Sequence, residues 1–133
     1  MSRKILIVED SFDLREILGM VLTSCGWTPI LAETGREALD KLKREMPSVI
    51  LVDMRMPDMN GFELTAILKK HPVYRHIPIL AATGYAGRVA RQGCLAAGCD
   101  DFISKPFAIA ALEKCLTNLV STERPSAILA TTR

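Results

Sequence analysis

The chain has 133 residues, with 17 lysines and arginines against 15 aspartates and glutamates, a formal net charge of +2, and 5% aromatic residues. The length fits a single domain, and a charge this small with so few aromatic residues argues against a nucleic-acid partner. No apolar run approaches the roughly 20 residues of a membrane span, and the N-terminus lacks a signal-peptide pattern. We therefore expect a cytoplasmic protein without membrane association. The four cysteines have no metal-binding spacing, so we expect free thiols.

Short apolar runs alternate with helical patterns along the chain. The first run is rich in β-branched residues and ends at an acidic pair, and the apolar positions after it follow the i, i+3, i+4, i+7 spacing of one helix face. In chain order, the predicted elements are a strand at 4–8, a helix face at 14–22, a strand at 28–32, a helix at 34–46, a strand at 48–52, a helix at 60–68, a strand at 77–82, a helix at 86–97, a strand at 101–104 and a helix at 109–120.

This alternation predicts an α/β fold. Strands separated by helices of about ten residues are typical of an open parallel sheet with helices on both faces. The run Val49–Val52 has four consecutive apolar residues, which indicates a strand buried on both sides. Residues 121–133 show no convincing periodicity and are predicted to be a C-terminal tail, so the domain is expected to span residues 1–120.

Chemically reactive side chains follow four of the predicted strands. Glu9 and Asp10 follow the first strand, Asp53 the third, Thr83 lies at the end of the fourth, and Lys105 follows the fifth. In open α/β sheets the site lies outside the carboxyl ends of the strands, where the strand order reverses. We therefore expect three carboxylates, one hydroxyl and one ammonium group to share one edge of the sheet.

This group of side chains suits phosphoryl chemistry. Carboxylates close to one another repel, and a hard divalent cation such as Mg2+ removes that conflict. A carboxylate such as Asp53 can act as a nucleophile and form an aspartyl phosphate. Cations and donors such as Lys105 and Thr83 can then contact the oxygens of the transferred group. The residues alone therefore predict a phosphoryl-accepting site.

These residues stand in sequence motifs of a known family. The chain resembles the receiver domain of two-component response regulators over about residues 3–120. The matching pieces are Ile-Leu-Ile-Val-Glu-Asp at 5–10, Val-Ile-Leu-Val-Asp-Met-Arg-Met-Pro-Asp-Met-Asn-Gly at 49–61, Ile-Leu-Ala-Ala-Thr-Gly at 79–84 and Ala-Gly-Cys-Asp-Asp-Phe-Ile-Ser-Lys-Pro-Phe at 97–107. The order and spacing of all four make the resemblance specific.

The resemblance implies a flavodoxin-like, doubly wound (βα)5 fold with strand order 2-1-3-4-5. It implies that Asp53 accepts a phosphoryl group from a phosphohistidine of a sensor histidine kinase or a histidine phosphotransfer protein. Mg2+ would be held by Glu9, Asp10, Asp53 and the backbone carbonyl of Arg55.

Further residues receive switch roles from the same resemblance. Lys105 would contact the phosphoryl oxygens, Thr83 would move towards them, and Phe102 would turn inward behind Thr83. The peptide bond before Pro106 would be cis. The surface of helix 4, strand 5 and helix 5 would carry the output to a downstream protein target.

Two positions that vary within the family are candidates for tuning the phosphoryl lifetime. Arg55 lies two residues after Asp53, and Tyr85 lies two residues after Thr83. Both side chains are large enough to extend over the phosphoryl group. We hypothesise that they control the access of the attacking water.

The leading interpretation is a phosphorylation-dependent signalling switch, a monomer or weak dimer, that binds a protein target or passes the phosphoryl group along a phosphorelay. It would not be an enzyme beyond assisting its own phosphorylation and dephosphorylation. Alternatives are a receiver domain excised from a hybrid histidine kinase and a receiver-like scaffold that is not phosphorylated. A flavodoxin-like redox protein would need a loop without the carboxylates of Glu9 and Asp10, and a carboxylate-nucleophile phosphohydrolase would need an aspartate in place of Arg55.

Overall fold

The computed structural model describes residues 3–55, 59–84 and 87–132, with only the backbone described at 87–91 and 122–132. Five strands and five α-helices alternate along this part of the chain. The strands are β1 (Arg3–Val8), β2 (Trp27–Ala32), β3 (Val49–Asp53), β4 (Ile79–Thr83) and β5 (Asp101–Ser104). The helices are α1 (Phe12–Ser24), α2 (Gly35–Leu42), α3 (Gly61–Lys70), α4 (Gly87–Ala97) and α5 (Ile109–Thr132).

The strands form one parallel sheet in the order β2-β1-β3-β4-β5. This confirms the doubly wound, flavodoxin-like (βα)5 topology that the resemblance implies. The order reverses between β1 and β3, the strands next to each other at the centre, so the crossovers leave the sheet in opposite directions from this point. A crevice at the carboxyl ends of these two strands is therefore the expected place for a site.

Two apolar cores cover the faces of the sheet, because alternate residues of each strand point to opposite sides. One core joins the sheet to α1 and α5 through four fully or almost fully buried leucines, Leu18, Leu22, Leu112 and Leu116. The other joins it to α2, α3 and α4 through Leu42, Leu64, Leu68 and Cys94. The central strand β3 is buried along its whole length, as its apolar run predicts.

Side-chain caps start three of the helices and so fix where the chain leaves the loops after β1, β2 and β3. Ser11, Thr34 and Asn60 each accept a hydrogen bond from the backbone N–H three residues later. Asn60 forms a full capping box, since Glu63 accepts a hydrogen bond from the Asn60 N–H. Each cap places a helix start beside the edge of the sheet where the predicted site lies.

Two helix ends differ from the sequence prediction. Helix α2 ends at Leu42 rather than Met46, because the N–H groups of Arg44 and Glu45 both bond to the carbonyl of Lys41 and close the last turn. Helix α5 continues to Thr132, so the predicted tail has helical backbone although it contains Pro125. Within the described residues, no helix has the length and apolar character to cross a bilayer.

Candidate functional site

The predicted site residues meet at the carboxyl ends of the central strands. Val8 is the register partner of Val52, so the residues that follow them, Glu9 and Asp53, lie beside each other. On the other side of Asp53, Thr83 is the last residue of β4. The parallel register therefore brings together side chains that are 44 and 30 residues apart in sequence.

Three carboxylates form the centre of the site. Glu9, Asp10 and Asp53 each offer an oxygen within 4.8 Å of the others. Glu9 and Asp53 are 3% and 5% exposed, and Asp10 is half-buried. Buried like charges this close favour a cation between them. An all-oxygen donor set of this kind fits Mg2+, which takes one or two carboxylates and keeps the rest of its shell for water and phosphate.

Lys105 provides the positive charge of the site. Its ammonium group lies 3.2 Å from Oε1 of Glu9 and 3.3 Å from Oδ1 of Asp53. Its backbone N–H donates to the carbonyl of Thr83 at 2.7 Å, which extends the β4–β5 pairing by one residue beyond Ser104. The following peptide bond, Lys105–Pro106, is cis, which is the conformation that the resemblance implies.

Glu9 is held in an environment that resists its ionisation. Burial raises the pKa of the Glu9 carboxyl above its usual value, and the charge of Asp53 adds to the effect. A hydrogen bond from the Ser11 N–H to Oε2, at 3.1 Å, and the contact with Lys105 oppose this rise without cancelling it. Protonation or a bound cation would each relieve the same unfavourable charge.

Asp53 is oriented by the loop that follows it. The Arg55 N–H donates to Oδ1 of Asp53 at 3.1 Å, and the Arg55 side chain is exposed. Gly61, at the start of α3, packs directly under this turn: a Cβ there would lie 2.6 Å from the Asp53 carbonyl oxygen and 2.7 Å from Cα of Met54. Only glycine allows α3 to approach so closely. Pro57 and Asp58, between them, lie outside the described residues.

The two predicted switch residues lie on one face of the sheet. Thr83 is fully buried, and Phe102 is half-buried against the core under α2, α3 and α4. Phe102 is the register partner of Ala81, which is two residues before Thr83 and therefore on the same face. Phe102 lies deeper in the sheet than the carboxylates and is not part of the charged cluster. Tyr85, the other lifetime candidate, lies outside the described residues.

Arg15, which the sequence motifs did not single out, contacts the loop carrying two of the carboxylates. Its Nη1 atom donates to the carbonyl of Glu9 at 2.8 Å and approaches that of Asp10 at 3.4 Å. The available signal was its position at the end of the first turn of α1, because helical side chains point back towards the N-terminus of their helix. An arginine at that position can reach the acidic turn before the helix.

The comparisons with known proteins agree with this geometry. A family model described as the response regulator receiver domain matches residues 5–117. The polar-differentiation response regulator DivK of Brucella ovis is 32% identical over 109 residues, which cover 82% of this chain and 89% of that protein.

Solved structures give the same result. The chemotaxis protein CheY4 of Vibrio cholerae superposes with a TM-score of 0.84 at 32% identity, covering 90% of this chain and 99% of that one. The receiver domain of the sensor histidine kinase PA1611 of Pseudomonas aeruginosa superposes with a TM-score of 0.83 at 30% identity, covering 91% of this chain and 99% of that one. That structure has a magnesium ion coordinated in its active-site cleft.

Proposed function

Since this chain belongs to the response regulator receiver domain family, we propose that it is a phosphorylation-dependent signalling switch in which Asp53 accepts the phosphoryl group. The observation that carries the proposal is the cluster of Glu9, Asp10 and Asp53, with oxygens within 4.8 Å of one another and Lys105 in contact with two of them. The protein acts on its own phosphoryl group and is not a turnover enzyme.

Asp53 is the acceptor because of its position and its contacts. It is nearly buried, and both the Arg55 N–H and the Lys105 ammonium contact Oδ1. Neither contact involves Oδ2, so we assign Oδ2 as the nucleophile. Its bond to phosphorus forms while the bond from phosphorus to the donor's histidine nitrogen breaks, and the electron pair of that bond stays on the imidazole.

Glu9, Asp10, Asp53 and the Arg55 carbonyl are the groups that would hold Mg2+. When bound, the ion supplies positive charge that offsets the carboxylates and the incoming phosphoryl oxygens. Glu9 and Asp10 are fixed by the turn after β1, and Asp53 and Arg55 by the turn after β3. The donors therefore come from two rigid strand ends rather than from one flexible loop.

Lys105 and Thr83 would stabilise the phosphorylated state. The ammonium group of Lys105 already lies between Glu9 and Asp53, so it is positioned to contact oxygens of a group bound to Asp53. Thr83 would donate its hydroxyl to a phosphoryl oxygen from the neighbouring strand. Its movement would leave room on the sheet face that Phe102 shares, and Phe102 would turn into that room.

The output surface would follow from this movement. Strand β5 carries Phe102 at the edge of the sheet, and α4 and α5 flank it in the chain. Leu95 on α4 is 56% exposed, so this helix offers one apolar side chain that a protein target could cover.

Receiver domains of this kind interact with histidine kinases and downstream targets. For this chain we propose a sensor histidine kinase or a histidine phosphotransfer protein as the donor, and either a protein target or a further phosphorelay step as the output. The match to the PA1611 receiver domain, which is part of a sensor kinase, keeps the relay role as a second candidate.

The lifetime of the phosphoryl group would depend on Arg55 and Tyr85. The exposed Arg55 side chain starts two residues from Asp53 and is long enough to cover the phosphoryl group. Dephosphorylation rates of Arg55→Ala and Tyr85→Ala are compared with wild type. A changed rate in at least one variant supports water control, and unchanged rates in both exclude it.

The proposed function is tested by incubating the purified protein with acetyl phosphate and recording its intact mass. We expect the gain of one phosphoryl group with Mg2+ and no gain with a chelator or in Asp53→Asn. A folded wild-type protein that gains nothing is then given a phosphohistidine donor. Failure with that donor as well would favour the unphosphorylated scaffold.

A further inference from the structure

Arg15 contacts the backbone of both acidic residues after β1. Its Nη1 atom is 2.8 Å from the carbonyl oxygen of Glu9 and 3.4 Å from that of Asp10. Arg15 is half-buried as a residue, and Cζ of its guanidinium group lies 5.6 Å from the centre of the Phe12 ring. Arg15 therefore binds main-chain carbonyls of the turn, although the carboxylates of the same two residues are close by.

The contacts of Arg15 complete the restraint of the turn. The Glu9 N–H donates to the carbonyl of Ala32 on β2 at 3.0 Å, which ties this residue to the sheet. The Glu9 carboxylate accepts from Ser11 and Lys105. Arg15 holds the remaining backbone group of Glu9, its carbonyl, and with it the peptide that leads to Asp10. The direction of both carboxylates depends on the orientation of this peptide.

We propose that Arg15 is a positioning residue for the divalent cation site, fixing the Glu9–Asp10 turn so that both carboxylates are directed at one point. This inference rests on the proposed function, because it assumes that the cluster binds Mg2+. It assigns Arg15 no contact with the ion or the phosphoryl group. Its effect is to reduce the number of conformations that the turn must lose when the cation binds.

Charge and geometry make opposite predictions at this position. As a positive charge near a cation site, Arg15 should weaken Mg2+ binding, so its removal should strengthen binding. As the clamp of the turn, it should strengthen binding, so its removal should weaken it. Arg15→Lys separates the two effects further, because it keeps the charge and loses the planar group with several N–H donors.

The test is an Mg2+ titration of wild type, Arg15→Gln and Arg15→Lys. Binding is measured from the NMR chemical shifts of the backbone amides of Ser11 and Arg55. Arg44→Gln is the matched control, since it removes the same charge from an exposed residue. Arg44 lies between α2 and β3, at the amino ends of the strands and away from the site. We expect the Kd for Mg2+ to rise about tenfold in both Arg15 variants, as for other residues that support metal ligands, and to stay unchanged in Arg44→Gln. The spectra also report whether each variant is folded.

Three results would overturn the inference. Tighter or unchanged binding in Arg15→Gln would mean that Arg15 acts as a charge or not at all. An unchanged Kd in Arg15→Lys would mean that an ammonium group at this position suffices and that the planar guanidinium does not clamp the turn. A wild-type protein that shows no Mg2+-dependent shifts would contradict the proposed function itself, and it is distinguished from the other two because it concerns the unmutated chain.

Discussion

Lys105 contacts Asp53 across an intervening strand: Nζ of Lys105 is 3.3 Å from Oδ1 of Asp53, although β4 separates β5 from β3 in the sheet. The contact is possible because both residues lie at the carboxyl ends of their strands, next to the last two residues of β4. A lysine in this position links the acidic centre of the site to the edge strand. It also reduces the repulsion between Glu9 and Asp53 when no cation is bound.

Replacing this lysine should destabilise the protein without Mg2+. Lys105→Met leaves the buried carboxylates of Glu9 and Asp53 without their cationic partner, and we expect a loss of roughly 1–3 kcal/mol in the free energy of unfolding at neutral pH. Mg2+ should restore part of this loss, because the ion binds the same carboxylates in the folded state. Urea unfolding with and without Mg2+ measures both effects.

A surface lysine provides the control for this variant. Lys43 pairs with Asp40 at 3.8 Å, and both side chains are about 70% exposed. Lys43→Met should change stability by less than about 1 kcal/mol and should not alter the response to Mg2+. Equal losses in the two lysine variants would show that Lys105 is not the counter-charge of the site.

Gly61 should not tolerate a side chain. In Gly61→Ala the new Cβ would meet backbone atoms of Asp53 and Met54 at 2.6–2.7 Å, so the turn below the acceptor must shift. We expect a loss of about 1–3 kcal/mol in stability and slower phosphorylation by acetyl phosphate. The comparison variant is Gly19→Ala, within α1. Its Cβ would meet only the side chain of Leu31 on β2, at 3.5 Å, which is an ordinary van der Waals contact. That change should be neutral or stabilise by up to about 1 kcal/mol. A larger loss of stability in Gly19→Ala than in Gly61→Ala would refute the close packing of Gly61 under the Asp53 turn.

Thr83 should couple the phosphoryl group to Phe102. Thr83→Ala should still accept a phosphoryl group on Asp53, since Mg2+ and Lys105 do not depend on the hydroxyl. The Phe102 ring should then no longer respond. The protein is labelled with fluorophenylalanine, the Phe102 signal is assigned with Phe102→Leu, and fluorine NMR is recorded before and after phosphorylation. An equal shift of the Phe102 signal in Thr83→Ala and wild type would rule out the coupling.

Local sequence patterns were sufficient to predict the strands and the acidic edge of the sheet. The apolar run before Asp53 predicts a buried central strand, and parallel strands must bring their carboxyl ends together. The strand order required the resemblance, because right-handed crossovers alone allow several orders. Contacts set by three-dimensional packing were not predictable in this way: Arg15 reaches backbone carbonyls, and the tight approach of Gly61 depends on where α3 packs.

Cys99 should be an unreactive thiol in the folded protein. Burial and the neighbouring Cys94 raise the pKa of the Cys99 thiol to about 12, from an ordinary value of 9.0. Below pH 9 the thiol is protonated in both folded and unfolded chains, so it causes no pH dependence. Between pH 9 and 12 only the unfolded chain loses this proton, so the contribution of Cys99 to stability falls as the pH rises.

Two measurements check this expectation. The stability difference between wild type and Cys99→Ala should decrease as the pH is raised above 9. Iodoacetamide at pH 8 should modify the exposed Cys25 and leave Cys99 unmodified, as read by peptide mass spectrometry. Rapid alkylation of Cys99 in the folded protein would contradict its burial beside Thr65 and Cys94.

The most direct test of the central claim is to locate the phosphoryl group chemically. The phosphorylated protein is reduced with borohydride, which converts an aspartyl phosphate to homoserine, and the digested peptides are sequenced by mass spectrometry. We expect homoserine at position 53, dependent on Mg2+ and absent from a chelator-treated sample. Modification of Asp10, or a phosphorylated protein with an unmodified Asp53, would contradict it.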